Sequence, residues 1–209
     1  MTLDIKSLSF NYKNKELFNN VNISFNKNDI SLIFGDNGVG KSTFFKILLG
    51  EITDFQGEVI LDDKNLNELS ILDRSLIFSL CSASQPSILI KVKEVFDFSS
   101  IDIRYSEKVI QDFKLEDYLN REMSSLSEGE KQWIFLARAF SRNTECILLD
   151  EPTTFLDRTH KNEFIRLVKK YGNEKTILIN THDEKLLGIT QNNLFEIRNF
   201  QILPTNQIL

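Results

Sequence analysis

The sequence predicts an α/β fold built on a mainly parallel sheet. Three observations carry that expectation. Short apolar runs of strand character alternate with segments whose apolar residues recur at helical spacing. A glycine-rich segment, Gly35-Asp36-Asn37-Gly38-Val39-Gly40-Lys41-Ser42-Thr43, separates one such run from one such helix. The composition is that of an ordinary globular chain, 41% hydrophobic and 26% charged over 209 residues. That length suits one domain, or one domain with a small extra lobe.

Leu3 to Phe10 alternates loosely, and Val21 to Phe25 alternates cleanly, with Val21, Ile23 and Phe25 on one face. Ile30 to Phe34 is mostly apolar, as a strand buried on both faces must be, and it ends at Gly35. Lys41 to Leu49 spaces Phe44, Ile47 and Leu48 for a helix, with Gly50 as its stop. Gly57 opens a strand over Glu58 to Leu61, and Arg74 to Cys81 reads as another. From Gln85 to Ser125 the strand pattern ceases. Val92, Val95 and Phe96, then Val109, Ile110 and Phe113, have helical spacing. A long helix follows Ser127 through Phe140, with Trp133, Leu136, Ala137 and Phe140 on its core face. Cys146 to Leu149 is a buried strand ending at Asp150-Glu151-Pro152. Asp157 to Tyr171 is a helix stopped by Gly172, Thr176 to Asn180 a strand ending at Thr181-His182, and Leu194 to Ile197 a last strand.

Charge and composition exclude several classes. Lys and Arg total 25 against 30 Asp and Glu, a net charge of −5, so no basic footprint for nucleic acid is present. Residues 91–130 alone carry ten acidic and six basic side chains. No apolar run approaches the roughly 18 residues of a membrane span, and the N-terminus has no secretory pattern. Cys81 and Cys146 form no C-x-x-C pair and read as small buried hydrophobes in a reducing compartment. His160 and His182 are too few for a zinc cluster. His160 reads as a solvated helix residue.

The glycine-rich segment fits G-x-x-x-x-G-K-[ST] in full, with a strand before it and a helix after it. Glycines let backbone N–H groups turn inward around phosphate oxygens, and the helix N-terminus adds donors and partial positive charge. Lys41 can reach the β- and γ-phosphates, and the Ser42 hydroxyl can bind Mg²⁺. The run Cys146-Ile147-Leu148-Leu149-Asp150-Glu151 supplies the partner element. Asp150 can hold Mg²⁺ through water, and Glu151, one residue on, can polarise an attacking water.

With these residues in hand, the chain resembles the nucleotide-binding subunit of ABC transporters, over nearly its whole length. Tyr12 falls where that family stacks an aromatic on adenine, and Gln85 matches the Q-loop. Leu126-Ser127-Glu128-Gly129-Glu130 resembles the signature LSGGQ. Asp157 in Thr154-Phe155-Leu156-Asp157 matches the D-loop, and His182 the H-loop. The resemblance implies a P-loop NTPase fold with a mainly parallel core sheet, a small N-terminal antiparallel β region and an inserted helical lobe. Residues 1–209 would be a single ATPase domain, with the lobe at about 86–140 in a RecA-like core.

The resemblance also implies ATP and Mg²⁺ as ligands. Asn37, Gly38, Gly40, Lys41, Ser42 and Thr43 would line the phosphates. Ser42, Gln85 and Asp150 would serve Mg²⁺, and Glu151, His182, Gln85 and Lys41 would carry the chemistry. Ser127 and Gly129 would act at a second subunit's nucleotide, and Asp157 would be a further nucleotide-binding residue. The implied partners are a separate transmembrane permease and a second ATPase subunit, with no nucleic acid. The implied location is the inner face of the cell membrane. Little chain follows His182, so no appended regulatory domain is expected.

Four departures stand out. Glu128 replaces the first signature glycine, Glu130 the glutamine, Asn28 a glycine before the cradle strand, and Phe155 a small D-loop residue. Two alternatives remain open at this point: a soluble ABC ATPase unconnected with transport, and a regulatory subunit with little turnover.

Overall fold

The strand-like runs assemble into two sheets, described in a computed structural model over residues 2–83, 88–98, 102–190 and 193–205. The first sheet is antiparallel, in the order β2-β1-β4-β5. Its strands are β1 (Thr2–Tyr12), β2 (Lys15–Asn26), β4 (Gln56–Leu61) and β5 (Lys64–Asn65). The second is six-stranded, in the order β10-β9-β3-β8-β7-β6. It contains β3 (Ile30–Phe34), β6 (Phe78–Ser82), β7 (Cys146–Asp150), β8 (Thr176–Thr181), β9 (Leu194–Arg198) and β10 (Gln201–Pro204). Every pairing in it is parallel except that of β9 with β10. The expected α/β class, parallel core and N-terminal antiparallel region are therefore all present.

Alternate residues of the core strands feed two cores, as the two-residue strand period requires. Cys146, Leu148 and Leu178 face one way, where α1 (Lys41–Leu49) lies between this sheet and the antiparallel one. Phe44, Phe45, Ile47 and Leu48 of α1 are essentially buried there. Each such side chain contributes about 1.5–3 kcal/mol of burial. Ile147, Leu149 and Ile179 face the other way. They pack on α3 (Val92–Asp97), α4 (Ile103–Asp112), α5 (Glu128–Ser141) and α6 (Arg158–Gly172). Trp133 is core, as its spacing predicts, and its indole N–H donates to the Phe113 carbonyl at 3.0 Å.

Three expectations need correction. The run Arg74 to Cys81 is not one strand. Residues 71–75 form a short helix, α2 (Ile71–Ser75), and the strand begins at Phe78. The capping box of Ser70 and Asp73 starts α2, and Arg74 turns inward to donate to the Ile47 and Leu48 carbonyls at 2.8 and 3.0 Å. Gly172 is not a helix stop. It is the last residue of α6, and Asn173 caps the helix. Glycine is needed because a Cβ at 172 would lie 2.5 Å from the Ile30 side chain. His160 is not simply solvated: its ring meets Trp133 edge-on at 5.1 Å. Strands β5 and β10 carry too few apolar residues to have been read from sequence.

Candidate functional site

Strand β3 delivers Gly35 to a tight turn, and α1 starts after Gly40 with no acidic residue in its first turn. That leaves a helix N-terminus with free donors and uncancelled positive potential, suited to an anion. Lys41 is 6% exposed, and its ammonium folds back to donate to the Gly35 and Asp36 carbonyls at 2.6 and 3.3 Å. Asn28, before β3, has a φ of 58°, a left-handed turn that Asn adopts at little cost.

Parallel pairing sets the rest of the cluster. Register places Asp150 of β7 beside Asn180 of β8 at the carboxyl edge of the sheet, where ligands bind in open α/β folds. Burial raises the Asp150 pKa, and the charge of Glu151 adds to that. Ser42 and Asn180 hydrogen bonds and the Lys41 charge oppose it. One Asp150 oxygen is buried without a hydrogen-bond partner, as is Oδ1 of Asn180. Asn180 is fully buried and donates to the Lys41 carbonyl at 2.8 Å, tying β8 to the start of α1. Sequence reading left Asn180 out. Its only signal was its place two residues before His182.

Glu151 occupies a left-handed backbone conformation, φ 50°, which is unusual for a non-glycine residue and characteristic of functional turns. Its N–H donates to the Asn180 carbonyl at 2.9 Å. Its Oε1 lies 2.9 Å from His182 Nδ1 and 3.4 Å from Lys41 Nζ. A carboxylate, an imidazole and an ammonium thus converge under the cradle. Tyr12 is 57% exposed at the end of β1 and lines the same groove, of about 400 Å³, with Lys15, Asn37, Gly38 and Thr43. Lys15, also missed from sequence, donates to the Gly38 carbonyl at 3.1 Å. A larger groove of about 550 Å³ between Tyr118, Trp133 and Arg166 contains none of these groups. Converging polar chemistry, and not volume, marks the site.

Other predicted residues lie elsewhere. Ser127 is the N-cap of α5, Gly129 lies in its first turn, and Asp157 is the N-cap of α6; none lines the cradle groove. Gly129 has no room for a side chain, because a Cβ would lie 2.8 Å from the Phe155 carbonyl. Glu128, by contrast, is 67% exposed and pairs with Lys131 at 2.7 Å, so its position accepts a long side chain. Gln85 falls outside the described residues. Both cysteines are buried, and burial pushes the Cys81 thiol up to about 12.

Comparison with known proteins gives these features a family. The sequence profile described as ABC transporter matches residues 18–154. A Clostridium perfringens protein described as an ABC transporter ATP-binding protein is 31% identical over 198 residues, covering 88% of this chain and 35% of its own. The chain therefore spans about a third of that relative's length. A thiamine import ATP-binding protein of Haemophilus influenzae is 32% identical over 190 residues, covering 87% of this chain and 88% of its own. A solved ATP-binding subunit of an ABC transporter superposes with a TM-score of 0.85 over 97% of this chain and 88% of its own, at 19% identity, a likeness of fold. By the profile match and by these relatives, the chain belongs to the family of ABC transporter ATP-binding proteins.

Proposed function

We propose that the chain binds Mg-ATP at the α1 cradle and hydrolyses it to power a transporter whose membrane-spanning part is a separate protein. The convergence of Glu151, His182 and Lys41 beneath the cradle carries this reading. The site fits the ligand: the unpartnered buried oxygens of Asp150 and Asn180 await a donor or a cation, and Gly38 leaves open space. Among the described residues no group of three or more His, Cys, Asp or Glu side chains could hold an ion. Mg²⁺ is commonly held by one or two protein groups together with substrate phosphates.

Within this reading each residue has a task. Bound Mg²⁺ supplies charge neutralisation on the phosphates. Tyr12 offers an aromatic face to adenine. Lys41 leaves the Gly35 carbonyl to meet β- and γ-phosphate oxygens. Ser42, Asp150 and Gln85 serve Mg²⁺, directly or through water. Glu151 accepts the proton of the attacking water, and His182 holds the γ-phosphate beside it. Ser127, Gly129 and Asp157, which do not line their own cradle groove, serve the nucleotide of a second ATPase subunit, so ATP drives dimerisation. We read residues 1–209 as one ATPase domain with about 86–140 as an inserted helical lobe. The position of α3, α4 and α5 between β6 and β7 supports that reading.

No described helix is long and apolar enough to cross a membrane. The proposed location is the inner membrane face, reached through the permease. Exposed apolar residues support such docking. Leu89, Phe98 and Ile103 are 84%, 81% and 73% exposed, and Leu72 of α2 is 79% exposed. Beside α2 a groove of about 290 Å³ contains Arg138 and Arg142.

The test is Glu151→Gln. Mg-ATP binding should persist, turnover should fall by about a hundredfold or more, and an ATP-bound dimer should accumulate in sedimentation. Lys41→Ala should weaken nucleotide binding itself. Hydrolysis by Glu151→Gln at the parent rate would remove Glu151 from the role of base.

A further inference from the structure

Asp183 follows His182 and takes no part in the chemistry above. It is nonetheless the most heavily bonded carboxylate near the site. Its Oδ2 accepts from Lys161 Nζ at 2.8 Å and from the Thr153 hydroxyl at 3.1 Å. Its Oδ1 accepts from the Lys185 N–H at 3.1 Å, and its own N–H donates to the Thr181 hydroxyl at 2.9 Å. Thr153 is 3% exposed, and the Asp183 and Lys161 side chains are 18% and 27% exposed. Burial alone would raise this carboxyl, yet the bonds from Lys161, Lys185 and Thr153 outweigh it and keep the carboxyl below its usual range.

These bonds join three segments that sheet register does not join. Thr153 lies two residues beyond Glu151. Lys161 lies on the first turn of α6, where its N–H bonds to the Asp157 carbonyl at 2.9 Å. Asp183 itself leaves β8 just beyond its last strand residue, Thr181. The β7–β8 register ends at Asp150 and Asn180, and the one further backbone bond, from the Glu151 N–H to the Asn180 carbonyl, does not fix the side chains of Glu151 and His182 against each other. Their 2.9 Å contact lies past that pairing, one residue beyond Asp150 and two beyond Asn180, with an imidazole 59% exposed.

We propose that Asp183 is a positioning residue: clamped by Lys161 and Thr153, it holds His182 beside Glu151 and ties that contact to the Asp157 end of α6. The proposal rests on the assignment of Glu151 and His182 above. A change at the Phe155–Asp157 segment, such as contact with a second subunit, then reaches His182 through Lys161 without passing through the cradle.

The test is a double-mutant cycle on steady-state ATP hydrolysis by the purified protein. Asp183→Asn and Lys161→Met should each lower kcat about tenfold and change KM for Mg-ATP less than about twofold, and the double variant should be no worse than the lower single. Lys161→Arg should retain most of the parent kcat where Lys161→Met does not, a contrast that a merely space-filling role does not explain. Losses that multiply in the double variant, or singles within about twofold of the parent, would overturn the proposal. Amide hydrogen exchange at residues 182–186 without nucleotide gives a second readout. It should quicken in Lys161→Met, and unchanged exchange would refute the clamp even if the parent shows no turnover. A parent without turnover would instead count against the ATPase reading itself.

Discussion

Glu130 shows how far one side chain can be read before its partners are known. Sequence gives the S-x-x-E pattern, and both halves of the box form: Ser127 Oγ accepts from the Glu130 N–H at 3.3 Å, and Glu130 Oε2 accepts from the Ser127 N–H at 2.8 Å. What the pattern could not give is Arg121, whose guanidinium lies 3.2 Å from the other carboxylate oxygen. Bonds from the Ser127 backbone and hydroxyl, opposed by slight burial and aided by Arg121, hold the Glu130 pKa below its usual value. Its folded pKa being depressed, its contribution to stability is full above the unfolded value, about 4.3, and is lost as pH falls through the folded one. If α5 meets a nucleotide on a second subunit, the carboxylate repels the phosphates and Arg121 offsets the repulsion. Arg121→Met should therefore weaken ATP-driven dimerisation about fivefold at low salt, and Glu130→Gln should strengthen it by a similar factor. The double variant should return near the parent. Sedimentation at two salt concentrations with Mg-ATP, on a Glu151→Gln background, measures this. Salt-independent affinities equal in all variants would show that both charges lie too far from the nucleotide to matter.

Between elements, the link from α4 to α6 invites a stability measurement. Asp112, at the end of α4, accepts from Lys170 Nζ at 2.7 Å and from the Tyr171 hydroxyl at 2.6 Å, both on α6. Burial pushes its carboxyl up, but the Lys170 and Tyr171 bonds and nearby lysines outweigh burial and leave it below the usual range. The sign follows: the stabilisation is present above the unfolded pKa, about 3.9, and disappears as pH falls through the folded value. Asp112→Asn should cost about 2 kcal/mol near pH 7, with a gap from the parent that closes in acid. Thermal melts across pH check it, and a pH-independent gap would assign the effect to packing. Such links were invisible in the sequence because their partners lie 58 and 59 residues apart. Periodicity marked α1, α5, α6, β3, β7 and β8 because each buries a regular face. It missed α2, where Ile71 and Leu72, and Leu76 just past its end, are exposed and the buried residue is Arg74. An apolar run with a charged residue inside it reads as a strand until the carbonyls that Arg74 caps are known.

Across the whole molecule, legibility follows how tightly ligand geometry constrains the residue types. The cradle was legible because its residue types and spacing are fixed by phosphate geometry. The convergence of Lys41, Glu151 and His182 was legible only as roles, since β7 and β8 must pair before residues 151 and 182 can meet. Lys15 and Asn180 carry no motif and are brought to the site only by the fold. The proposed partner-facing surface is less legible still, because its chemistry would be shared with a second protein. Here charge distribution supplies the argument. Residues 91–130 hold ten acidic and six basic side chains in a chain of net charge −5, and exposed Leu89, Phe98 and Ile103 lie in or beside this acidic stretch. If a permease docks there, apolar contact sets the affinity, while the acidic field steers a basic partner surface into place. Asp97 and Glu107 are exposed and serve the test. Asp102 does not, because it accepts from the Tyr105 N–H at 3.1 Å and caps α4, so its reversal would also disturb the helix. Asp97→Lys with Glu107→Lys should slow association with the permease about tenfold at low salt, and much less at high salt, with the dissociation rate little changed. Phe98→Ala should do the converse, speeding dissociation while leaving the on-rate near the parent value. Association rates from stopped flow with detergent-solubilised permease separate the two effects. An unchanged on-rate for the charge-reversed variant at low salt would refute steering by the acidic stretch.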